Sequence, residues 1–320
     1  MAEDDALMEL RQLRYFIAAV EAGSITAAAR KLHVVQSAVS RQIANLEREL
    51  GVDLFLRDKS GVQLTDAGRV LYRHALAATK HVEAARSGIH EMGSEIRGQV
   101  SFGIPHSIAV ILGLPLLQAV RSELPLVEFT LVEGMSGMLA EQLVSGRLDM
   151  SILFEIDALR GFECQPLVSE RLHFVSADPA LRERLAGAAA ISVVDVLDRP
   201  LILPPKPNGI RMLMERQVLR SGLSMRVIAN LTGVHTMLAA VKAGLGDSVV
   251  MAANPEFAGY DKDLLALPIA DPEIERPAAL YQAESFAPTL ATAGVRDIAL
   301  RLVRDFLDTG KWTGARSLMP

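Results

Sequence analysis

In the stretch LRQLRYFIAAVEAG the apolar residues Leu10, Leu13, Phe16, Ile17 and Val20 recur three and four positions apart, which places them on one face of a helix that Gly23 ends. Ser24 or Thr26 caps a second helix whose inner side is Ala28, Ala29 and Leu32. The break His33-Val34-Val35 separates it from a third helix opening at Gln36-Ser37. There Val39, Ile43, Leu46 and Leu50 face inward, and Ser37, Ser40, Arg41, Asn45 and Arg48 face outward. After Gly51, DLFLRDKSGVQLT gives two short apolar strands about a polar tip at Lys59-Ser60-Gly61, the signature of a hairpin.

A different period starts after Thr65, which suits a helix cap. Leu71, Ala75, Ala78, Val82, Ala85, Ile89, Met92 and Ile96 are spaced alternately four and three apart, a heptad seam held for almost four heptads. A helix hanging from a small head leaves that seam uncovered, so the simplest partner is the same helix of a second copy; packing on the chain's own body is the alternative. Leu71, Ala75, Ala78, Val82, Ala85 and Ile89 are therefore the expected dimerisation residues. Gly88 and Gly93 weaken the helix toward its end.

Beyond this point strands and helices alternate: VSFGI, a helix to Arg121, VEFTLVE, a helix ending near Gly146, then DMSILF. Such alternation predicts parallel sheets with helices on their faces. One unit is used twice. Strand VEFTLVE, Gly134, a helix, Gly146, Asp149 and strand MSILF match strand MRVIANLT, Gly233, a helix, Gly244, Asp247 and strand SVVM. Two α/β lobes imply a cleft between them, where helix N-termini converge on a ligand.

Composition changes the picture only when divided. Half the residues are apolar and 22% are charged, as in a folded chain. The single Cys164 excludes an internal disulfide and a cysteine-based zinc finger, and it suits a reducing compartment. The acidic start MAEDDALMEL lacks the basic region of a secretory signal, and no run of about 18 apolar residues occurs, so a cytoplasmic protein with no membrane partner is expected. A net charge of −5 argues against a polyanionic partner, yet Arg11 to Arg73 holds ten basic and six acidic residues while the chain from Ser101 holds 20 and 25. The head is mildly basic and the body acidic.

Two helices joined by a tight turn, the second presenting Ser37, Ser40 and Arg41, form an arrangement that can enter a major groove: small hydroxyls allow close approach, and arginine makes bidentate contacts to guanine or phosphate. Arg57 and Lys59 on the hairpin would add backbone or minor-groove contacts. The whole run AAVEAGSITAAARKLHVVQSAVSRQIANLERELGVDLFLRDKSGVQLTDAG resembles the winged helix-turn-helix of LysR-type transcriptional regulators. The resemblance is carried by Gly23-Ser24, Ala28-Ala29, Gln36 with Ser40 and Gln42, Leu46-Glu47, Leu54-Phe55 with Arg57, and Leu64-Thr65 with Gly68. Within the family the stretches AARSGIHEMG, IRGQVSFGIP and PLLQAVRSELP look most like the nitrogen assimilation control subgroup. Two positions depart from the family pattern: Ser37 stands where most members have proline, and Ser60 where many have a basic residue, which shifts the wing contact to Lys59.

The resemblance implies a mixed fold: a winged helix-turn-helix (residues 1–65), a linker and dimerisation helix (66–93), a hinge (94–98), and an α/β two-lobed body (99–320) resembling type II periplasmic binding proteins. Lobe I would take about 99–164 and 268–310, lobe II about 165–267. It also implies a homodimer or tetramer on double-stranded DNA, with RNA polymerase as a further partner of an activator. Carried over residue by residue, Gln36, Ser37, Ser40 and Arg41 enter the major groove, Ser24 and Thr26 meet phosphate, and Arg57 and Lys59 act in the wing. For a small anionic effector the resemblance points to Pro105, His106, Ser107, Gly134, Ser136, Phe154, Arg211, Thr232 and His235, with ordinary helix capping as the alternative for the hydroxyls. No metal site or cofactor is expected, since His90-Glu91 lacks the second histidine of a zinc motif and Gly244-Leu245-Gly246 is an incomplete dinucleotide motif. No serine or cysteine stands in a nucleophile motif, so the chain reads as a regulator and not an enzyme; a solute-binding protein or a cleft enzyme built on the body is the alternative.

Overall fold

A computed structural model of the chain describes residues 8–58, 61–90, 95–154, 159, 161–251, 264–283 and 288–320. It forms two compact units. One comprises the chain through Gly98 with Glu141–Leu148, the other Gln99–Ala140 with Asp149–Pro320.

The first unit begins with α1 (Leu10–Ala22), α2 (Ile25–Lys31) and α3 (Gln36–Leu50). The apolar faces read from the sequence bury Leu13, Phe16, Ala28, Ala29, Val39, Ile43 and Leu46 in one core. Ser24 caps α2, its hydroxyl accepting from Ala27 N at 3.4 Å. The turn into α3 is closed by Val34 N donating to Ala29 O at 3.0 Å, with His33 left-handed at φ 55°. Strands β1 (Phe55–Asp58) and β2 (Gly61–Leu64) pair antiparallel, Phe55 opposite Leu64. Phe55 meets Phe16 at 5.1 Å between ring centroids, so the hairpin is anchored to α1 by aromatic packing. Glu47 anchors it to α3, its Oε1 accepting from Leu54 N at 3.0 Å and Phe55 N at 3.3 Å.

Helix α4 (Asp66–His90) follows. Thr65 Oγ1 accepts from Gly68 N at 2.9 Å and donates to Asp53 O at 2.7 Å, tying the helix start to the hairpin. Gly68 has no room for a side chain: a Cβ there would lie 2.2 Å from Leu54 O. Residues 91–94 lie outside the described part of the chain, and Arg97 and Gly98, expected in the hinge, already belong to the first body strand.

The body contains β3 (Arg97–Pro105), α5 (His106–Glu123), β4 (Leu126–Gly134), α6 (Ser136–Val144), β5 (Met150–Phe154) and the long β6 (Phe162–Ser176). Next come α7 (Pro179–Arg184), β7 (Ile191–Ser192), α8 (Val193–Leu197), β8 (Leu201–Leu203), α9 (Gly209–Ser221), β9 (Val227–Asn230), α10 (Val234–Lys242) and β10 (Asp247–Met251). The chain returns through β11 (Leu265–Ala270), β12 (Glu275–Ala283), α11 (Leu290–Asp308) and β13 (Ala315–Ser317). Strands run in the order β4-β3-β5-β12-β6-β10-β8-β9, with β11 and β13 also on β6.

The repeated unit is present in both lobes. Gly146 (φ 74°) and Gly244 (φ 73°) end α6 and α10 alike, and Asp149 N and Asp247 N donate to Ser101 O and Pro200 O, each at 2.9 Å. The sheets are not purely parallel, however. Strands β3/β5, β8/β10 and β8/β9 are parallel, but β12 is antiparallel to both β5 and β6, and β6 is antiparallel to β10. The crossing between lobes also lies elsewhere than expected. Residues 162–171 of β6 pair with β12 and residues 172–176 with β10 or β11, so one unbroken strand belongs to both lobes. Strand β11, with residues 268–270, belongs to lobe II, while β13 extends lobe I beyond residue 310 by pairing with Val168–Glu170.

Candidate functional site

In the head, the apolar spacing of α3 dictates which residues remain outside. Val39, Ile43 and Leu46 are fully buried, and the opposite surface exposes Gln36, Ser37 and Arg41 with Ser40 half-buried at its edge. Arg41 makes no ion pair among the described residues, whereas Arg48 is held by Asn45 at 3.0 Å. Thr26 is exposed on α2, and Ser24 is half-buried, its hydroxyl oxygen accepting in the cap. Lys59 lies outside the described residues. Arg57 is placed in β1, but its side chain is not described. The first turn of α3 carries no acidic residue, so the positive end of the helix dipole is left open there.

The heptad seam of α4 divides. Leu71, Ala75 and Ala78 pack into the head's own core, which corrects the expectation that nothing in the chain covers them. Val82 and Ala85 are exposed; the side chain of Ile89 is not described.

In the body, Ser107 Oγ at the start of α5 accepts from Arg276 Nη2 at 2.9 Å, and Ser136 Oγ at the start of α6 accepts from Phe154 N at 3.1 Å. Phe154 supports the Arg276 guanidinium on its ring face, 3.4 Å from centroid to Cζ. Pro105 and Gly134 are buried just ahead of these helix starts. His106 is exposed, its Nδ1 3.6 Å from Glu133 Oε2. Arg211 is turned to its own lobe, donating to Glu215 Oε1 at 2.8 Å and Asn230 Oδ1 at 3.2 Å. Lys206 and Arg211 together hold the Glu215 carboxyl below the usual range. Thr232 and His235 are exposed.

Sequence reasoning missed the group that organises this region. Arg276 on β12 and Glu170 on β6 face each other across the crossing strands, and Arg276 Nη2 donates to Glu170 Oε2 at 3.0 Å. Trp312 Nε1 donates to Glu170 Oε1 at 3.0 Å. All three are buried. Burial pushes the Arg276 guanidinium down, and Glu170 opposes that shift. Arg276 Nε is buried without a hydrogen-bond partner, and Gly209 at the start of α9 abuts the same side chain, 3.9 Å from Cδ to where a Cβ would stand. Helix starts from both lobes thus approach one buried cation. The signal in the sequence is faint: Glu170 and Arg276 are charged residues inside apolar strand patterns, 106 positions apart.

No group of histidine, cysteine or carboxylate side chains able to hold a metal occurs among the described residues, and none of the described helices is long and apolar enough to cross a membrane. Cys164 is exposed.

The family description "Bacterial regulatory helix-turn-helix protein, lysR family" matches residues 10–69, and "LysR substrate binding domain" matches residues 93–304. The nitrogen assimilation regulatory proteins nac of Klebsiella aerogenes and Escherichia coli (strain K12) are 36% and 35% identical to this chain, each over 76% of it and 78% of their own length. Among solved structures, a full-length OxyR variant from Pseudomonas aeruginosa is similar with a TM-score of 0.73 at 23% identity, over 93% of this chain and 95% of that one. Full-length CbnR in complex with its target DNA gives 0.59 at 22% identity, over 93% and 99%. These two likenesses are of fold.

Proposed function

Since this chain belongs to the LysR family of DNA-binding transcriptional regulators, we propose that it acts as a homodimer or tetramer whose α3 helices read a partly palindromic operator in successive major-groove faces. Gln36, Ser37, Ser40 and Arg41 contact base edges, Ser24 and Thr26 meet phosphate beside the start of α2, and Arg57 with Lys59 follows the backbone from the wing. The observation that carries this reading is the exposed polar surface of α3, with an Arg41 guanidinium not neutralised by any described carboxylate. Val82, Ala85 and Ile89 supply the part of the α4 seam that a second copy covers. The regulator works in the cytoplasm, and RNA polymerase is its partner where it activates. The likeness to the nac proteins supports nitrogen assimilation as the physiology it serves.

The decisive experiment uses a duplex selected from random-sequence DNA by the full-length protein. Arg41→Ala weakens its binding by about 1–3 kcal/mol at fixed salt; unchanged binding removes Arg41 from the base contacts. The body takes a small anionic metabolite between its lobes, near Ser107, Ser136 and Phe154. The free Nε of Arg276 and the converging starts of α5 and α9 support this. Trp312 is the only tryptophan in the chain and touches Glu170, so its emission reports on that site while small carboxylates are titrated. An emission unmoved across a metabolite panel rejects the effector.

A further inference from the structure

Of the N-cap residues Val35, Pro105 and Gly233, whose side chains cap nothing, Val35 alone exposes a hydrocarbon side chain. It occupies the N-cap of α3 with φ −72° and ψ 142°, its carbonyl accepts from Ala38 N at 3.0 Å, and its side chain caps nothing. Serine, threonine, aspartate and asparagine are the residues favoured at such a position, because their oxygens satisfy an amide that the first turn leaves open. This chain uses them elsewhere: Ser24, Asp178, Ser192, Asn208 and Thr289 all cap helices through their side chains. At the start of α3 the chain instead exposes a branched hydrocarbon. Val35 is 69% exposed, and among the large apolar residues described only Leu219 is more so. It adjoins the exposed Gln36 and Ser37, so the tip of the helix presents one apolar side chain beside two polar ones.

A major groove offers one apolar feature, the C5 methyl of thymine. Because an apolar side chain at a helix tip can meet that methyl where a hydroxyl could not bury it, we infer that Val35 is a specificity residue that packs on a thymine methyl in each half-site. This rests on the placement of α3 in the major groove. Val35 and Arg41 are six residues apart, about 9 Å along a helix axis, so the thymine lies about two to three base-pair steps from the base read by Arg41.

Uracil differs from thymine only by that methyl. On the duplex selected by the full-length protein, each thymine is replaced in turn by deoxyuridine, and wild type, Val35→Ala and Val35→Ser are compared at fixed salt. One thymine per half-site is expected to cost the wild type about threefold to fivefold in affinity when its methyl is removed, and the same replacement is expected to cost Val35→Ala less and to leave Val35→Ser unchanged. A selected sequence without thymine at that distance overturns the inference. So does a wild type indifferent to every uracil, or a loss that persists in both variants. Arg41→Ala, run on the same duplex, separates the two ideas: if it binds normally and the uracils are silent too, α3 is misplaced; if it fails while the uracils are silent, Val35 alone is wrong.

Discussion

Arg41 and Arg276 carry the same charge in opposite surroundings, and the difference sets what each can do. Arg41 stands in water at a helix surface, where giving up its hydration to a base or phosphate would come at modest cost. Arg276 is held by Glu170, Ser107 and the face of Phe154, so its ordering is already complete before any ligand arrives. Removing one partner of a buried ion pair leaves an uncompensated charge, which costs about 3–5 kcal/mol. Glu170→Ala is therefore expected to destabilise the body by that amount and to release Trp312, with denaturant unfolding and a red-shifted Trp312 emission as the readouts. A cost below about 1 kcal/mol would mean that the pair is as weak as an exposed one. Val35 shows the reverse economy at the residue scale: Val35→Ser supplies a missing cap, a gain of about 1 kcal/mol, at the expense of the contact it is assigned in the groove.

Among the elements, α4 depends on its first turn. Thr65 satisfies Gly68 N and ties back to Asp53 O, so Thr65→Ala is expected to cost about 1 kcal/mol. Amide exchange at Gly68 and Arg69 should accelerate before that of α3. The caps and periods of the head were readable because they are local: Gly23, Ser24, Gly51 and Thr65 punctuate helices whose apolar faces repeat within one or two turns. A heptad seam says that a surface will be covered but not by what, which is why Leu71, Ala75 and Ala78 could be read as dimer contacts although the head's own core takes them. The join between lobes was unreadable for a related reason. β6 runs for 15 residues without a turn, so its change of partner after Arg171 leaves no mark in its composition. The Arg276–Glu170 pair depends on the register of two strands that meet only in the folded body. Local pattern carries no information on that register. The family resemblance points to the hydroxyls of Ser107 and Ser136, but their present partners, Arg276 Nη2 and Phe154 N, follow from tertiary contacts that no local pattern encodes.

For the whole molecule, the charge that matters is not the total. The formal −5 lies in the body, while Arg11 to Arg73 carries +4. Part of that head charge is already engaged: Arg11 lies 3.5 Å from Glu9, and Lys31 lies 2.8 Å from Glu21. Exposed pairs of this kind are worth little to stability, but they lower the field offered to a phosphate backbone. Binding affinity falls with salt in proportion to the phosphates neutralised, with a slope of about −0.9 per contact on a log–log scale. A head that neutralises about four phosphates should lose about a hundredfold in affinity for one half-site between 50 and 200 mM salt. Two heads acting together on a full operator should lose about 10⁴-fold, because the exponents add. Measuring both slopes separates two ways of holding DNA. A full-site slope close to twice that of the half-site means each head meets the backbone as it would alone and the dimer only adds them. A full-site slope no steeper than the half-site's would place one head off the backbone, and the specificity would then have to come from bending the DNA between the sites.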